Sequence, residues 1–494
     1  MPAPVRLSKS RLIAHRQCPK RLWLQVHRPG LAQRAEAVEN RLAQGNLIGA
    51  AAHTLFPEGR LIGHVDNLAA ALRETQEALA QPGDLTLFEP ALRTGPILVR
   101  ADVMIRRGER WRMIEVKAST KVKDYQVTDA AIQAWVARGA GLAVEHVEVA
   151  HVDNRFVYPG GHDYRGLFAN ADVTAAVEPL QGDIPGWIAA AQRDVAGPMP
   201  GVRVGAQCTN PYECEFLAHC APATALYPVD LLPNGTRLAQ ALRAEGYADL
   251  RDVPADRLHK PVHVRIHRAT VRGEAELDAA AAAVLAALPW PRWYVDFETV
   301  GPAVPLWPGT RPYQKIAMQW SCHRQDADGT LAHLPSFLAR NDEDPRRAFA
   351  ESLVAAVGPA GPLIVYNAAF EGSVLRQLAE RFPDLAPALA SMADRLFDLL
   401  ELARAHYYHP GMMGSWSIKK VLPTIAPDMD YAGLADVRSG DMVEPVWFEM
   451  IAPDTTAERR EALAAALSTY CERDTLAMVR VAEFLAGSAP RAAR

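Results

Sequence analysis

The chain has 494 residues, of which 49% are hydrophobic and 22% are charged, and its formal net charge is -4. This length exceeds what one hydrophobic core normally supports, and this composition excludes a largely disordered chain. The charge balance excludes a uniformly basic nucleic-acid binder, although a chain of near-neutral total charge can still place a basic track beside carboxylates that hold cations.

Targeting signals and cysteine usage point to the cytoplasm. The N-terminal stretch Met1–Arg11 lacks the apolar run of a signal peptide, and no run of about 18 apolar residues suited to crossing a bilayer occurs. We therefore expect a cytoplasmic protein without a membrane partner. Six cysteines in such a chain do not indicate a disulfide framework. Two of them, Cys322 and Cys471, are expected to be ordinary packed thiols.

The order of patterns along the chain predicts an α/β multidomain protein in three parts. Residues 1–225 mix helical patterns with a strand-rich stretch at Leu85–Val116 and form a first α/β module. Residues 226–290 turn helical and alanine-rich, which predicts a helical linker or small helical domain. The buried strand WYVDFETV then opens a second α/β module over residues 291–494.

A charged hairpin in the first module is the first candidate site. The segment VRADVMIRRGERWRMIEVKAS has the form of two strands joined by a glycine-containing turn, with Asp102 on the first strand and Glu115 and Lys117 on the second. Side chains alternate along a strand, so Glu115 and Lys117 share a face and the hairpin brings Asp102 beside them. Two carboxylates so placed can hold Mg²⁺ or Mn²⁺, and Lys117 can position water or stabilise developing charge. The alternative is a surface hairpin with alternating charges.

This order of residues resembles the PD-(D/E)XK nucleases, which have a restriction-endonuclease-like fold. In GNLIGAAAH, His53 takes the place of the metal-binding histidine of the RecB-like branch, and Gln133, on an expected helix, takes the place of its glutamine. The resemblance implies that Asp102, Glu115, Lys117 and Gln133 are catalytic, and that His53, Asp102 and Glu115 bind the cation. The alternatives are a core histidine at position 53 and a surface amide at position 133.

A basic cluster accompanies the same hairpin. It would suit the backbone of a nucleic acid, and a solvated charged surface is the alternative. Its members are Arg100, Arg106, Arg107, Arg110, Arg112, Lys117, Lys121 and Lys123.

Four cysteines stand at the two ends of the first module. Cys18 lies near its start, in CPKRLWL, and Cys208, Cys214 and Cys220 lie at its end, in CTNPYECEFLAHC. One early and three late cysteines suit a four-thiolate site that joins the ends of a domain. The pattern resembles the [4Fe–4S] site of RecB-like nucleases, which implies a structural cluster on these four residues. A four-cysteine Zn²⁺ site and four unrelated buried thiols are the alternatives.

Three separated pieces of the second module carry acidic residues in predicted elements. In YVDFET, Asp296 and Glu298 are two apart on a strand and share a face. In LIVYNAAFEGSVL, a buried strand passes into a helix whose first turn holds Glu371. In LSTYCERDTLAMV, Tyr470 and Asp474 are four apart on a helix and stack on one face.

These pieces resemble the three motifs of the DnaQ-like 3′→5′ exonucleases, which have an RNase H-like fold. The resemblance implies that Asp296, Glu298, Glu371 and Asp474 are catalytic and hold two cations about 4 Å apart. It also implies that Tyr470 orients the attacking water. Glu371 stands where that family has Asp, which keeps the charge and lengthens the side chain by one methylene. Each piece alone also occurs by chance on strands and helices.

The two modules together resemble a bacterial family of unknown function with a predicted nuclease role. The resemblance implies a metal-dependent nuclease that hydrolyses phosphodiester bonds with Mg²⁺ or Mn²⁺. We expect an exonuclease that acts on single-stranded DNA or DNA ends, in repair or in defence. Two alternatives stay open: an RNA exonuclease, and a nucleic-acid-binding scaffold in which one nuclease module is inactive.

Overall fold

The structure is a computed structural model that describes residues 7–33, 36–64, 66–221, 225–429, 431, 433–434 and 436–487. Residues 1–6, the first part of the N-terminal stretch that is predicted to lack a signal peptide, lie outside the described residues. The chain divides into two units, which we call unit 1 (Met1–Pro222 and Pro302–Gln314) and unit 2 (Ala223–Gly301 and Lys315–Arg494).

Unit 1 contains the following elements in its described residues. Its strands are β1 (Leu7–Ser8), β2 (Arg60–Leu61), β3 (Leu85–Phe88), β4 (Ala91–Thr94), β5 (Ile97–Arg100), β6 (Val103–Arg107), β7 (Arg110–Lys117), β8 (Ala143–Val152) and β9 (Phe168–Asp172). Its α-helices are α1 (Lys9–Gln17), α2 (Pro19–His27), α3 (Glu36–His53), α4 (Leu68–Leu79), α5 (Asp124–Gly139), α6 (Thr174–Val177), α7 (Ile184–Ala196) and α8 (Leu217–Cys220).

A mixed sheet of order β2-β3-β6-β7-β8-β9 forms the centre of unit 1. Strands β3, β6 and β7 are antiparallel neighbours, and β8 runs parallel to β7 after the crossover helix α5. Gly108, with a φ of 61°, makes the tight turn between β6 and β7. Along β7, Trp111 and Met113 alternate into the core beneath the alanine-rich face of α5, and Glu115 continues that buried row. The alternation of side chains along β7 therefore places the carboxylate of Glu115 in the core.

Unit 2 contains the following elements in its described residues. Its strands are β10 (Glu276–Leu277), β11 (Arg292–Val300), β12 (Ile316–Gln325), β13 (Leu331–His333), β14 (Phe337–Leu338), β15 (Leu363–Val365), β16 (Leu396–Asp398) and β17 (Tyr407–Tyr408). Its α-helices are α9 (Thr236–Ala244), α10 (Pro261–Arg272), α11 (Ala280–Ala286), α12 (Arg346–Ala356), α13 (Ala368–Arg381), α14 (Ala386–Asp394), α15 (Leu399–His406), α16 (Ile418–Val421), α17 (Gly440–Ile451) and α18 (Ala457–Leu485).

The main sheet of unit 2 has the order β13-β12-β11-β15-β16. Its first three strands form an antiparallel meander, whereas β15 and β16 run parallel to β11. On one face Tyr294 packs with α15 and α18; on the other, Trp293, Val295 and the buried thiol of Cys322 pack with α12, α13 and α14. Because β11 alternates, Asp296 falls on the Tyr294 face, towards α18.

The predicted α/β fold class is confirmed, and one detail of the predicted helical segment is corrected. Glu276 and Leu277, which the sequence pattern includes in a helix, form a short strand paired with Tyr408 and Tyr407. The helix begins only at Ala280. Among the described residues, none of the helices combines the length and apolar character that crossing a bilayer requires.

Candidate active sites

Three carboxylates of unit 2 converge beside its central strand. Asp296 and Glu298 project from one face of β11, and Asp474 projects from α18, which packs against that strand. Each of the three carboxylates has one oxygen atom that lies within 4.8 Å of such an oxygen atom from each of the other two. A cation with oxygen ligands at about 2.1 Å places opposite ligands about 4.2 Å apart. This all-oxygen set therefore fits a hard divalent cation such as Mg²⁺ or Mn²⁺.

Glu371 supplies a fourth carboxylate to the same cleft. It lies in the first turn of α13, as predicted, after Asn367, whose left-handed backbone (φ 110°) marks the junction between strand and helix. Asp398 Oδ2 accepts a hydrogen bond from Ala368 N at 2.9 Å and fixes this turn. Glu371 is 3% exposed, and its Oε2 has no hydrogen-bond partner among the described residues. A buried oxygen without a partner is suited to a cation.

Two tyrosines and a cysteine surround the carboxylates. Tyr431 Oη donates to Asp474 Oδ1 at 2.5 Å, and Tyr470 lies one turn before Asp474 on α18. Cys471 is buried, as predicted, and its Sγ also lies 3.7 Å from Asp296 Oδ2. Tyr431 is 43 residues from Asp474 in the sequence, so the sequence pattern did not reveal it.

Burial and mutual repulsion keep protons on this cluster. Burial, reinforced by Asp474, raises the pKa of Asp296 well above its usual value and that of Glu298 to about 8. Burial likewise raises the pKa of Glu371 to about 8 and raises that of Asp474. The ammonium of Lys419 opposes the shift in the pKa of Glu298 and of Asp474. A divalent cation favours the deprotonated carboxylates, so binding it here releases protons.

The four carboxylates line one cleft of about 970 Å³ in unit 2, together with Tyr470 and Lys419. The cleft carries four carboxylates and also four cationic side chains, which are Lys260, Arg265, Arg404 and Lys419. It therefore has the charges to accept a divalent cation and a polyanion together.

The second candidate site lies between β7 and α5 in unit 1. Glu115 is 1% exposed and accepts hydrogen bonds from Lys117 Nζ and Gln133 Nε2. The structure thus brings together three of the residues singled out in the sequence. Burial alone raises the pKa of Glu115, but the charge of Lys117 brings it below its usual range.

Two charged residues that sequence reasoning missed complete this site. Lys9, at the start of α1, donates to Glu115 Oε1 at 3.0 Å and lies 3.2 Å from Asp129 Oδ1. Asp129, one turn before Gln133 on α5, accepts from Lys117 Nζ at 2.8 Å. Asp129 was visible from its spacing to Gln133. Lys9 is 106 residues from Glu115, and its role depends on the tertiary fold.

Asp102 differs from its predicted placement, whereas the metal-binding role expected of His53 stays a prediction. Asp102 precedes β6 by one residue instead of lying within the strand, and its Oδ2 accepts from Val116 N at 2.6 Å. Burial, followed by the charge of Glu115, raises the pKa of Asp102 to about 8. His53 ends α3 and stacks on Phe88 with 4.1 Å between ring centroids. The structure thus places Asp102 at the carboxylate site and His53 against an aromatic ring.

The basic cluster near this hairpin is largely neutralised. Arg106 donates to the carbonyl oxygens of Leu79 at 3.1 Å and Gly83 at 2.7 Å. Five other members have carboxylate partners within 4 Å, which are Arg100, Arg107, Arg110, Arg112 and Lys117. These partners agree with a solvated charged surface, which was the alternative, rather than with cations that are free to bind a nucleic acid.

The four cysteines of unit 1 line one small cavity of about 20 Å³. Cys18 directly precedes α2, and the segment that carries the other three is bonded to the same region. Gln17 Nε2 donates to the carbonyl oxygens of Gln207 at 2.7 Å and Tyr212 at 2.8 Å, and Arg21 Nε donates to Glu215 at 2.8 Å. The two ends of the module therefore meet at the thiols, as the predicted four-thiolate site requires.

Comparison with known proteins gives one partial match. Residues 293–417 match the family model described as Domain of unknown function (DUF2779). The matched stretch contains Asp296, Glu298 and Glu371 but stops before Asp474. No curated protein and no solved structure matches the chain.

Proposed function

We propose that the chain is a metal-dependent nuclease whose main catalytic centre is the carboxylate cluster of unit 2. The observation that carries the proposal is the spacing of Asp296, Glu298 and Asp474, whose oxygens lie within 4.8 Å of one another. The strand order β13-β12-β11-β15-β16 supports an RNase H-like, DnaQ-like module. In this order an antiparallel meander is followed by two strands that run parallel to β11. The position of Glu371 at a strand-to-helix junction of the same cleft supports it further.

The residues of the cleft have separable roles in hydrolysis of a phosphodiester. Bound at these carboxylates, Mg²⁺ or Mn²⁺ lowers the pKa of a water molecule and offsets charge on the phosphate. Burial raises the pKa of Tyr470 far above its usual range, so its hydroxyl stays protonated and acts as a hydrogen-bond donor. Tyr470 therefore orients Asp474 and the reacting water, and it does not remove a proton.

The proposal extends to unit 1 as a RecB-like PD-(D/E)XK nuclease module. The antiparallel strands β3, β6 and β7, followed by α5 and the parallel strand β8, support this fold. Lys9 and Lys117 both contact Glu115, which is almost fully buried, so Asp102 carries the more accessible carboxylate for a cation. Gln133 holds the second oxygen of Glu115 in place.

A [4Fe–4S] cluster is the cofactor that we propose for Cys18, Cys208, Cys214 and Cys220, with Zn²⁺ as the alternative. Soft thiolates are the ligands that both choices prefer, and all four line one cavity. The surrounding hydrogen bonds join the two ends of unit 1, which favours a structural role. Iron and acid-labile sulfide in anaerobically purified protein would support the cluster, and stoichiometric zinc without iron would replace it.

Digestion of end-labelled single-stranded DNA and RNA with Mg²⁺ or Mn²⁺ tests the function. Anaerobically purified wild-type protein is compared with Asp102→Ala and Asp296→Ala. If each substitution removes a distinct activity, both units are nucleases, and the preferred strand gives the substrate class. If the wild-type protein cuts neither strand with either metal, the nuclease proposal fails and a nucleic-acid-binding scaffold is the better description.

A further inference from the structure

The cleft of unit 2 has a wall that the main sheet does not provide. It comes from the segment between residues 226 and 290, through Asn234, Lys260, Pro261, Val262 and Arg265. All of these except Asn234, which precedes α9, lie at or near the start of α10, and they share the cleft with the carboxylates of β11, α13 and α18. The helical segment therefore contributes directly to the proposed active-site cleft.

Two cations on this wall form no ion pair within 4 Å in the described part of the chain, although Arg265 interacts at longer range with Glu276 and Asp278. Lys260 Nζ donates to the carbonyl oxygen of Asn234 at 3.2 Å, and Arg265 Nη1 donates to that of Arg404 at 2.7 Å. Arg268, three residues further along α10 and outside the cleft lining, instead forms a two-bond pair with Glu276 at 2.5 Å. The helix thus neutralises a cation away from the cleft and leaves two at the cleft for an anion.

The end of α10 adds to this positive charge. The helix has 12 residues, no acidic residue in its first turn, and no side-chain cap from Lys260. The first N–H groups of a helix and its dipole favour anions, phosphate among them. Pro261, the first helical residue, has no N–H, so Val262, which lines the cleft, supplies the first of these groups. The positive helix end therefore reinforces Lys260 and Arg265.

We propose that Lys260, Arg265 and the start of α10 bind backbone phosphates of a single-stranded nucleic acid, beyond the phosphate that is hydrolysed at the carboxylates. This role rests on the proposed nuclease function of the same cleft. The cleft of about 970 Å³ lies at the upper end of the range of about 300–1,000 Å³ for pockets that hold one small ligand, and it is lined both by the carboxylates and by these two cations. A positive groove that follows the backbone is the usual way to hold a single strand without sequence preference.

Two probes of different length test this role in the full chain. The first is a fluorescein-labelled dT12 oligonucleotide, whose binding is followed by anisotropy in CaCl₂ at several salt concentrations. The second is the p-nitrophenyl ester of thymidine 5′-monophosphate, whose single phosphate is the one that reacts. Both are measured for wild type, for Lys260→Gln/Arg265→Gln, and for Arg272→Ala. Arg272 is an exposed cation at the far end of the same helix and serves as the matched control.

We expect the double variant to bind dT12 about tenfold more weakly, and the slope of log K against log salt to fall by about 1.4, which is two contacts at about 0.7 each. The double variant should lose less of its ester hydrolysis than of its affinity for dT12, and Arg272→Ala should match wild type in both assays. Unchanged dT12 affinity and salt slope in the folded double variant would overturn the inference and leave the nuclease proposal standing. If wild type neither hydrolyses the ester nor shortens dT12 in MgCl₂, but the variant still loses salt-dependent binding, the nuclease proposal fails and the phosphate wall stands.

Discussion

Without divalent cations, the free energy of unfolding of unit 2 should fall as the pH rises. The carboxylates of its cleft then hold protons in place of a cation, and these protons are lost at higher pH. The pKa of Glu298 is raised from 4.5 to about 8 in the folded protein. The stabilising proton is therefore fully bound below pH 4.5 and is lost as the pH rises towards 8. Each such proton changes the free energy of unfolding by about 1.4 kcal/mol per pH unit. From pH 5.5 to 7.5, Glu298 alone accounts for at most about 2.7 kcal/mol.

The assay is urea unfolding at pH 5.5, 6.5 and 7.5, in EDTA and in MgCl₂, for wild type and Glu298→Gln. In EDTA, the substitution should flatten the slope of the unfolding free energy against pH by about one proton. Mg²⁺ should flatten the same slope in the wild-type protein. Glu343→Gln, at an exposed position of unit 2, is the control and should keep the wild-type slope. Identical slopes for wild type and Glu298→Gln in EDTA would refute the reasoning, since the carboxylate would then titrate as it does in the unfolded chain.

Three further outcomes follow from the described contacts. Tyr470→Phe should lower kcat by about 10²-fold, because it removes a hydrogen-bond donor. The Mg²⁺ concentration for half-maximal rate should change little, because no metal ligand is removed. Single-turnover kinetics would show both. Lys9→Met should destabilise unit 1 by about 3 kcal/mol in chemical unfolding, since Glu115 and Asp129 lose a shared ammonium. The exposed control Lys121→Met should leave stability unchanged. Cys214→Ala should lower the iron content and the unfolding midpoint together, whereas retention of both would exclude its role as a cluster ligand.

Local sequence patterns predicted the elements that carry the site. The Gly108 turn, the strand around Asp296 and the helix that holds Asp474 all occur where their patterns placed them. Each is decided by residues close together in the chain, through turn chemistry, alternation or helical spacing. Glu371 was located for the same reason, because a buried strand passes directly into its helix.

Residues brought in by tertiary packing were not predicted. Lys9 and Tyr431 join their sites across 106 and 43 residues, and no periodicity connects them to their partners. Glu276 pairs with Tyr408 in a strand although its neighbours favour a helix, since pairing across the fold overrides local propensity. The wall provided by Lys260 was not predicted either, since it lies in a segment predicted as a helical linker or small helical domain and its position in the cleft depends on how α10 packs.

The most direct test of the central claim is the rate at which a labelled single strand is shortened when only unit 2 can act. Glu115→Gln removes one carboxylate of the unit 1 site in both proteins that are compared, and Asp474→Asn is added in one of them. With Mg²⁺ or Mn²⁺, we predict stepwise shortening by the Glu115→Gln protein and a loss of at least about 10³-fold on adding Asp474→Asn, as expected when a metal-holding carboxylate is removed. Equal rates for the two proteins, or no shortening by either, would contradict the assignment of the carboxylate cluster as a nuclease centre.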